Sequence, residues 1–360
     1  MGTLYIDRKD VHIRLDGNVL AFYAENKREG MVPITPLKRV VVIGNIDFET
    51  RALNKLADMN VTVIFLSGRR LQFHGMLHGR LHNNGFLRLK QYEKAFSGFP
   101  KEFSLDLVHR KIKSQSSLLN EALQVRPDLR SSITNADTTL NGIANIIIEI
   151  KSNLEKRNIK VTEGFLDSIR GYEGSAAAAY FSAYTTIFPE SLHFKHRNKR
   201  PPRDPVNAML SLCYTMIHYE SVREIETIGL DPTIGFYHQF KYGRESLACD
   251  IVELIRPDVD RFVWSLFREK EFTARDFAYE TERSGCYLKK PGRQKFYPVY
   301  ENWAKGIRQM IVEEVRKLAY NISDGHIDES EFIKEDDYGC LLYTSPSPRD
   351  RTRTRMPSSA

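Results

Sequence analysis

The sequence predicts an α+β chain of two domains, a small mainly-β unit followed by an all-helical one. Three observations carry this. The chain has 360 residues, more than one hydrophobic core ordinarily serves. Apolar residues alternate in short runs up to about residue 79, and they recur at three- and four-residue spacing after about residue 85. The early runs are closed by Gly or Asn, whereas the later ones extend over several turns.

In order, LYIDRKDVHIRLDGNVLAFYAEN holds two β-rich runs around Asp16-Gly17, a dipeptide that favours a tight hairpin turn. RVVVIGN, VTVIFLSG and LQFHGMLHG read as further strands, and FETRALNKLADMN, with Phe48, Leu53, Leu56 and Met59 in helical register, as one helix among them. Residues 1–85 are therefore expected to form the β-rich domain and residues 86–98 a linker with a first helix. Residues 99–335 should form a bundle, making seven or eight helices in all after residue 85. Its main break is FKHRNKRPPRDP.

Composition excludes several classes. An apolar fraction of 41% with 28% charged residues fits a soluble globular protein. No run approaches the ~20 apolar residues of a membrane span, and MGTLYIDRKD has no signal-peptide pattern. Met1-Gly2 fails as a myristoylation site because Ile6 stands where Ser or Thr is wanted. Cys213, Cys249, Cys286 and Cys340 show no metal or disulfide spacing, which suits a reducing cytoplasm. The final segment, CLLYTSPSPRDRTRTRMPSSA, can be back-translated into the end of a transposase-type sequencing adapter. Residues 340–360 are accordingly expected to be a non-native, disordered tail, with the native chain ending near residue 339. That tail carries four arginines against one aspartate. Without it the net charge falls from +7 to +4, mildly basic and compatible with a nucleic-acid partner.

Three places in the helical part hold acids or an imidazole. In GYEGSAAAAYFSAY, Glu173 is the one charged residue, sharing a helix face with Ala177, Tyr180 and Tyr184. It either complements the helix dipole or holds something that needs negative charge. His238 lies in LDPTIGFYHQFKYGRESLACDIVELIRP, where a helix should end near Gly229 and a loop should deliver the imidazole, as a structural hydrogen-bonding group or as a ligand. Asp250 and Glu253 are three apart on the next helix, which Ser246 could cap. Two neighbouring carboxylates repel unless a cation or proton sits between them, and Arg256 could also screen them. If the three places converge, they make an octahedral oxygen and nitrogen site for Mg²⁺, with the imidazole favouring tolerance of Mn²⁺.

Four stretches then resemble a known family. LYIDRKDVHIRLDGNVL, GYEGSAAAAYF, RPPRDPVNAMLSLCY and GFYHQFKYGRESLACDIVELIRP with VDRFV are similar, in order and spacing over about residues 3–325, to CRISPR-associated protein one. This is the integrase and endonuclease of the adaptation module in prokaryotic antiviral defence. The resemblance implies catalytic metal ligands at Glu173, His238 and Glu253, with Asp250 as an auxiliary acid and Mg²⁺ or Mn²⁺ as cofactor. It implies a dimerising β domain, with two dimers flanking a dimer of CRISPR-associated protein two and together holding a short DNA duplex. The implied reaction joins the duplex 3′-hydroxyls to the CRISPR repeat by transesterification, with hydrolysis and reversal on branched DNA, in the cytoplasm. Phosphate contacts are expected from Lys195, Arg197, Lys199, Arg200, Arg203, Lys241, Arg244 and Arg256, and Tyr180 is expected either to stack or bond near the phosphate or to pack in the core. Asn207 belongs to the matched stretch without a role that spacing assigns. The alternatives are the integrase of a related transposon acting without the small partner, or an inactive architectural DNA-binding protein.

Overall fold

The computed structural model describes residues 2–67, 71–79, 84–157, 164–198, 201–280, 285–326 and 340–343. Contacts divide the chain into two compact units.

The first unit begins with β1 (Thr3–Asp7), β2 (His12–Asp16), β3 (Val19–Ala24), β4 (Lys27–Pro33), β5 (Arg39–Ile43) and β6 (Asp47–Phe48). It continues through α1 (Thr50–Asp58), β7 (Thr62–Leu66) and β8 (Phe73–Leu77). The expected hairpin is β2–β3, paired from Asp16↔Val19, with Gly17 at φ +61° in the turn. β4, β3, β2 and β6 form one sheet, and β1, β5, β7 and β8 belong to a second, in which β8 is antiparallel to β7. Leu4 and Ile6 of β1 pack with Ile13, Phe22, Val40, Val42, Leu56 and Val63 in one core. Burial of that apolar area, at ~25 cal/mol per Å², holds the unit together.

The second unit contains α2 (Gly85–Ala95), α3 (Phe99–Val125), α4 (Arg130–Arg157), α5 (Phe165–Tyr184), α6 (Pro205–Ile228) and α7 (Ser246–Arg268). A hairpin, β9 (Phe277–Glu280) with β10 (Gly285–Leu288), follows, and then α8 (Lys290–Ile322). The bundle is thus not purely helical, because β9–β10 interrupts it. α6 shows how the sequence sets its own limits. Asp204 caps its start by accepting from the backbone N–H of Asn207 at 2.8 Å, Pro205 occupies its first turn, and Gly229 ends it at φ +98°. No helix among the described residues is long and apolar enough to cross a membrane.

Two features depart from the expected domain limits. Residues 293–304 of α8 group with the first unit. There Tyr297 stacks on Tyr5 at 4.3 Å, Glu301 accepts from Thr3 and Tyr5 at 3.0 and 2.6 Å, and Arg293 pairs with Asp7 at 2.8 Å. Every residue of β1 is therefore buried, Leu4 and Ile6 against the core and Thr3, Tyr5 and Asp7 against this helical segment. The expected disorder of the tail is corrected at residues 340–343. These form β11 (Cys340–Tyr343), parallel to β1 and completing a sheet of order β11-β1-β5-β7-β8. Residues 344–360 lie outside the described residues.

Candidate active site

The site belongs to the second unit and is built outward from α7. Asp250, Glu253 and Arg256 follow one another at three-residue spacing and so lie near one face of that helix. Pro257 stands inside α7 and has no N–H to return to the Glu253 carbonyl.

Asp250 is fully buried. Its Oδ2 accepts the backbone N–H groups of Phe236 and Tyr237 at 2.7 and 3.0 Å. Its Oδ1 accepts the backbone N–H of His238 at 2.9 Å and the His238 ring nitrogen Nδ1 at 2.7 Å. A carboxylate with four donors has no lone pair directed at a cation, so the expectation that Asp250 is an auxiliary metal ligand is corrected. It positions a loop and a ring instead. Because a carboxylate only accepts, Nδ1 carries the proton and the lone pair of the neutral imidazole falls on Nε2. Nε2 lies 3.9 Å from Glu253 Oε1.

The loop delivering His238 is held from several sides. Gln91 of α2, fully buried, donates to the carbonyls of Asp231 and Ile234 at 2.9 and 2.8 Å and accepts from the Asp231 N–H at 2.8 Å. Phe236 packs edge-on to Phe99 of α3. Arg170 of α5 donates to the Tyr237 carbonyl at 2.8 Å. At Gly235 a Cβ would come within 2.7 Å of the Ser246 carbonyl carbon and 2.9 Å of Asp250 Oδ2, so only glycine permits this approach. Ser246 is not the cap of α7. Its hydroxyl donates to the Gln239 carbonyl at 3.1 Å, and Glu245 stands at the cap position.

Glu173 reaches the same place from α5, and between it and Glu253 stands Lys111 of α3. The Lys111 ammonium donates to Glu173 Oε1 and, at 2.6 Å, to Glu253 Oε2. Arg256 Nη2 lies 3.2 Å from Glu253 Oε1. Burial would raise the Glu253 carboxyl, but the charges of Arg256 and Lys111 outweigh it and bring it down to about 2. Burial likewise opposes the charge on Lys111, and the two carboxylates overcome it, so the ammonium is raised above its ordinary value. Sequence reasoning missed Lys111. Its signal was a lysine on the buried stripe of α3, in register with Val108, Ile112 and Gln115.

Among the described residues, no group of three His, Cys, Asp or Glu side chains is arranged to hold a metal ion. Lys111, a cation, is bonded to both carboxylates. The donor chemistry nevertheless fits Mg²⁺ or Mn²⁺: two hard carboxylates from Glu173 and Glu253, an imidazole Nε2 from His238, and a point where a positive charge is already accommodated.

The remaining expected contacts divide sharply. Lys195, Arg203 and Lys241 are exposed, while Lys199 and Arg200 lie outside the described residues. Arg197 is corrected to a structural role. It bonds Asn207 Oδ1 at 2.7 Å and lies over the Tyr214 ring at 5.4 Å, its charge spent inside the fold. Arg256 is committed to Glu253 and the Tyr214 ring, and Arg244 bonds the Gln239 carbonyl and Ser246. Tyr180 takes the second of its two expected places, in the core. It is fully buried and donates to Asp260 Oδ2 at 2.9 Å, while Tyr184 donates to the Asp260 carbonyl at 2.8 Å and Tyr214 to Oδ1. Burial drives the Asp260 carboxyl up to about 6, against the lowering effect of its tyrosine donors, Arg197 and Arg256.

Asn207 acquires a role. Besides Arg197 it accepts the Asn198 N–H at 2.9 Å and donates to the His196 carbonyl at 2.9 Å and to Asp204 Oδ2 at 2.6 Å. It thereby fastens the basic loop to α6.

The family described as CRISPR associated protein Cas1 matches residues 4–302. The chain is 52% identical over 333 residues to a CRISPR-associated endonuclease Cas1 of Thermodesulfovibrio yellowstonii, covering 92% of this chain and 99% of that protein. It is 30% identical over 286 residues to another from Rhodospirillum rubrum, covering 77% and 79%. Among solved structures, a Cas1 protein from Thermotoga maritima superposes with a TM-score of 0.73 at 22% identity, covering 93% of this chain and all of that one. A casposase bound to integration product gives 0.74 at 20% identity, covering 90% and 91%. At these identities the superpositions speak for the fold.

Proposed function

The chain belongs to the CRISPR-associated protein Cas1 family, and from that premise we propose that it is a metal-dependent DNA integrase and endonuclease of spacer acquisition. The observation that carries this reading is the fixed imidazole: Asp250 binds His238 Nδ1 at 2.7 Å and leaves Nε2 beside Glu253, whose other oxygen meets Glu173 at a shared cation. Glu173, Glu253 and His238 Nε2 would hold Mg²⁺ or Mn²⁺. When bound, the ion would neutralise charge on the phosphate oxygens at the joining step.

The chain's own groups supply the rest. Asp250 holds His238 in one tautomer, and the 231–238 loop, anchored by Gln91 and Phe236, keeps the ring in register with Glu253. Arg256 and Lys111 keep Glu253 ionised. Lys195, Arg203 and Lys241, exposed, are suited to phosphates of the duplex without sequence choice. The 3′-hydroxyl of the captured duplex forms a new P–O bond at the repeat as the 3′-oxygen of the cleaved strand leaves. The same centre would hydrolyse or reverse the joint on branched DNA. Partners on this reading are the prespacer and repeat DNA, a second copy of this chain, and CRISPR-associated protein two, in a prokaryotic cytoplasm.

The test is joining of a short duplex to a supercoiled plasmid with Mg²⁺ or Mn²⁺, with and without the small partner protein. His238→Ala should abolish joining while duplex binding persists. Joining at the wild-type rate by that variant would refute the site, and full joining without the small partner would favour a transposon-type integrase.

A further inference from the structure

Lys111 is a buried cation to which the proposed chemistry gives no part beyond keeping Glu253 ionised. It comes from α3, whose neighbouring positions Val108 and Ile112 are buried apolar residues, and it is itself only 5% exposed. Its ammonium bonds a carboxylate on α5 and another on α7, so one side chain ties three helices at the point where a divalent ion would be held. Five charged side chains stand there: Glu173, Asp250 and Glu253 as anions, Lys111 and Arg256 as cations. Asp250 is spent on the 236–238 backbone and His238, and Arg256 touches only the Oε1 side of Glu253. One oxygen of Glu173 and one of Glu253 are therefore bonded to the same ammonium.

We propose that Lys111 is a tethered cation that keeps the two carboxylates assembled in the absence of metal and must be displaced for a divalent ion to bind between them. The inference rests on the metal reading of Glu173, His238 and Glu253 given above. It makes Lys111 a positioning residue with a specific consequence. Without metal it prevents repulsion between Glu173 and Glu253 from spreading α5 and α7. In metal binding it acts as a competitor, because entry of the ion costs the two ammonium contacts. Removing the lysine charge changes the formal balance at the site from −1 to −2 and frees both oxygens. Metal affinity should then rise, where loss of a merely structural residue would lower it.

The test is Mn²⁺ binding by the full chain, read from the free-ion electron paramagnetic resonance signal, for wild type, Lys111→Met, Glu173→Gln and His238→Ala. Lys111→Met should bind Mn²⁺ at least tenfold tighter and melt at a lower temperature without metal, the gap closing as Mn²⁺ is added. Glu173→Gln and His238→Ala should bind at least tenfold more weakly. Unchanged binding in those two variants would remove the metal reading itself. Weakened binding in them with unchanged or weaker binding in Lys111→Met would overturn the role given to the lysine. Lys111→Gln keeps hydrogen-bonding capacity without charge and carries the same expectation should the methionine variant fail to fold.

Discussion

Asp250→Asn isolates the step on which the site depends, the choice of His238 tautomer. The substitution keeps size and shape and replaces one acceptor by an NH₂ donor. Asp250 receives two N–H donors on each oxygen, so an amide can satisfy one pair and must face the other with its own N–H groups. If its oxygen stays with Phe236 and Tyr237, two hydrogen bonds to a charged acceptor are lost, at ~1.5–3 kcal/mol each. The expected destabilisation is therefore about 3–6 kcal/mol. His238 Nδ1 must also become an acceptor, which moves its proton to Nε2 and removes the lone pair that faced Glu253. Losing such an outer partner ordinarily lowers metal affinity or activity ~10–100-fold. Urea denaturation measures the first effect, and ¹⁵N-resolved imidazole spectra of His238 together with plasmid joining measure the second. A variant within ~0.5 kcal/mol of wild type, its Nε2 still unprotonated, would refute this account of the loop.

Asn207→Ala should cost about 2–4 kcal/mol, because it removes four side-chain hydrogen bonds of a fully buried residue at ~1 kcal/mol each. It should also weaken duplex binding more than it changes the metal affinity, because it releases the loop that carries Lys195 and Arg203; equal stability by denaturation would contradict this. Asp260 gives a pH dependence. Its carboxyl is raised from 3.8 to about 6 in the fold, so the protonated form is favoured there. Its contribution to stability is greatest below about pH 4 and declines as pH rises through 6, by roughly 3 kcal/mol in all. Unfolding of wild type and Asp260→Asn from pH 4 to 7.5 should show the balance shifting steadily towards the variant, and a pH-independent difference would count against it.

Much of the site was legible because its residue types stand out from their surroundings. Glu173 is a lone acid in an alanine-rich helix, His238 sits in a loop just past the Gly229 helix end, and Glu253 lies one turn after Asp250. The Asp16-Gly17 turn and the Asp204–Pro205 start of α6 are local signals of the same kind. What escaped were features whose meaning depends on distant partners. β4 is a charged, mostly exposed strand without clear alternation, and β9–β10 is too short to stand out against helices. Arg197 and Lys195 are indistinguishable in FKHRNKR, yet one is bonded to Asn207 inside the fold and the other is exposed.

The sequence by itself determined where the helices and most of the first unit's strands form and which acids and imidazole could do chemistry, because periodicity, caps and turn residues act over a few positions. Only the tertiary structure decided that Asp250 serves the loop, that Tyr180 is buried on Asp260, that residues 293–304 close over β1, and that Lys111 stands between Glu173 and Glu253. Each of those is a contact between groups 12 to 298 positions apart. The burial that sets their charge states and hydrogen bonds exists only once the helices have packed.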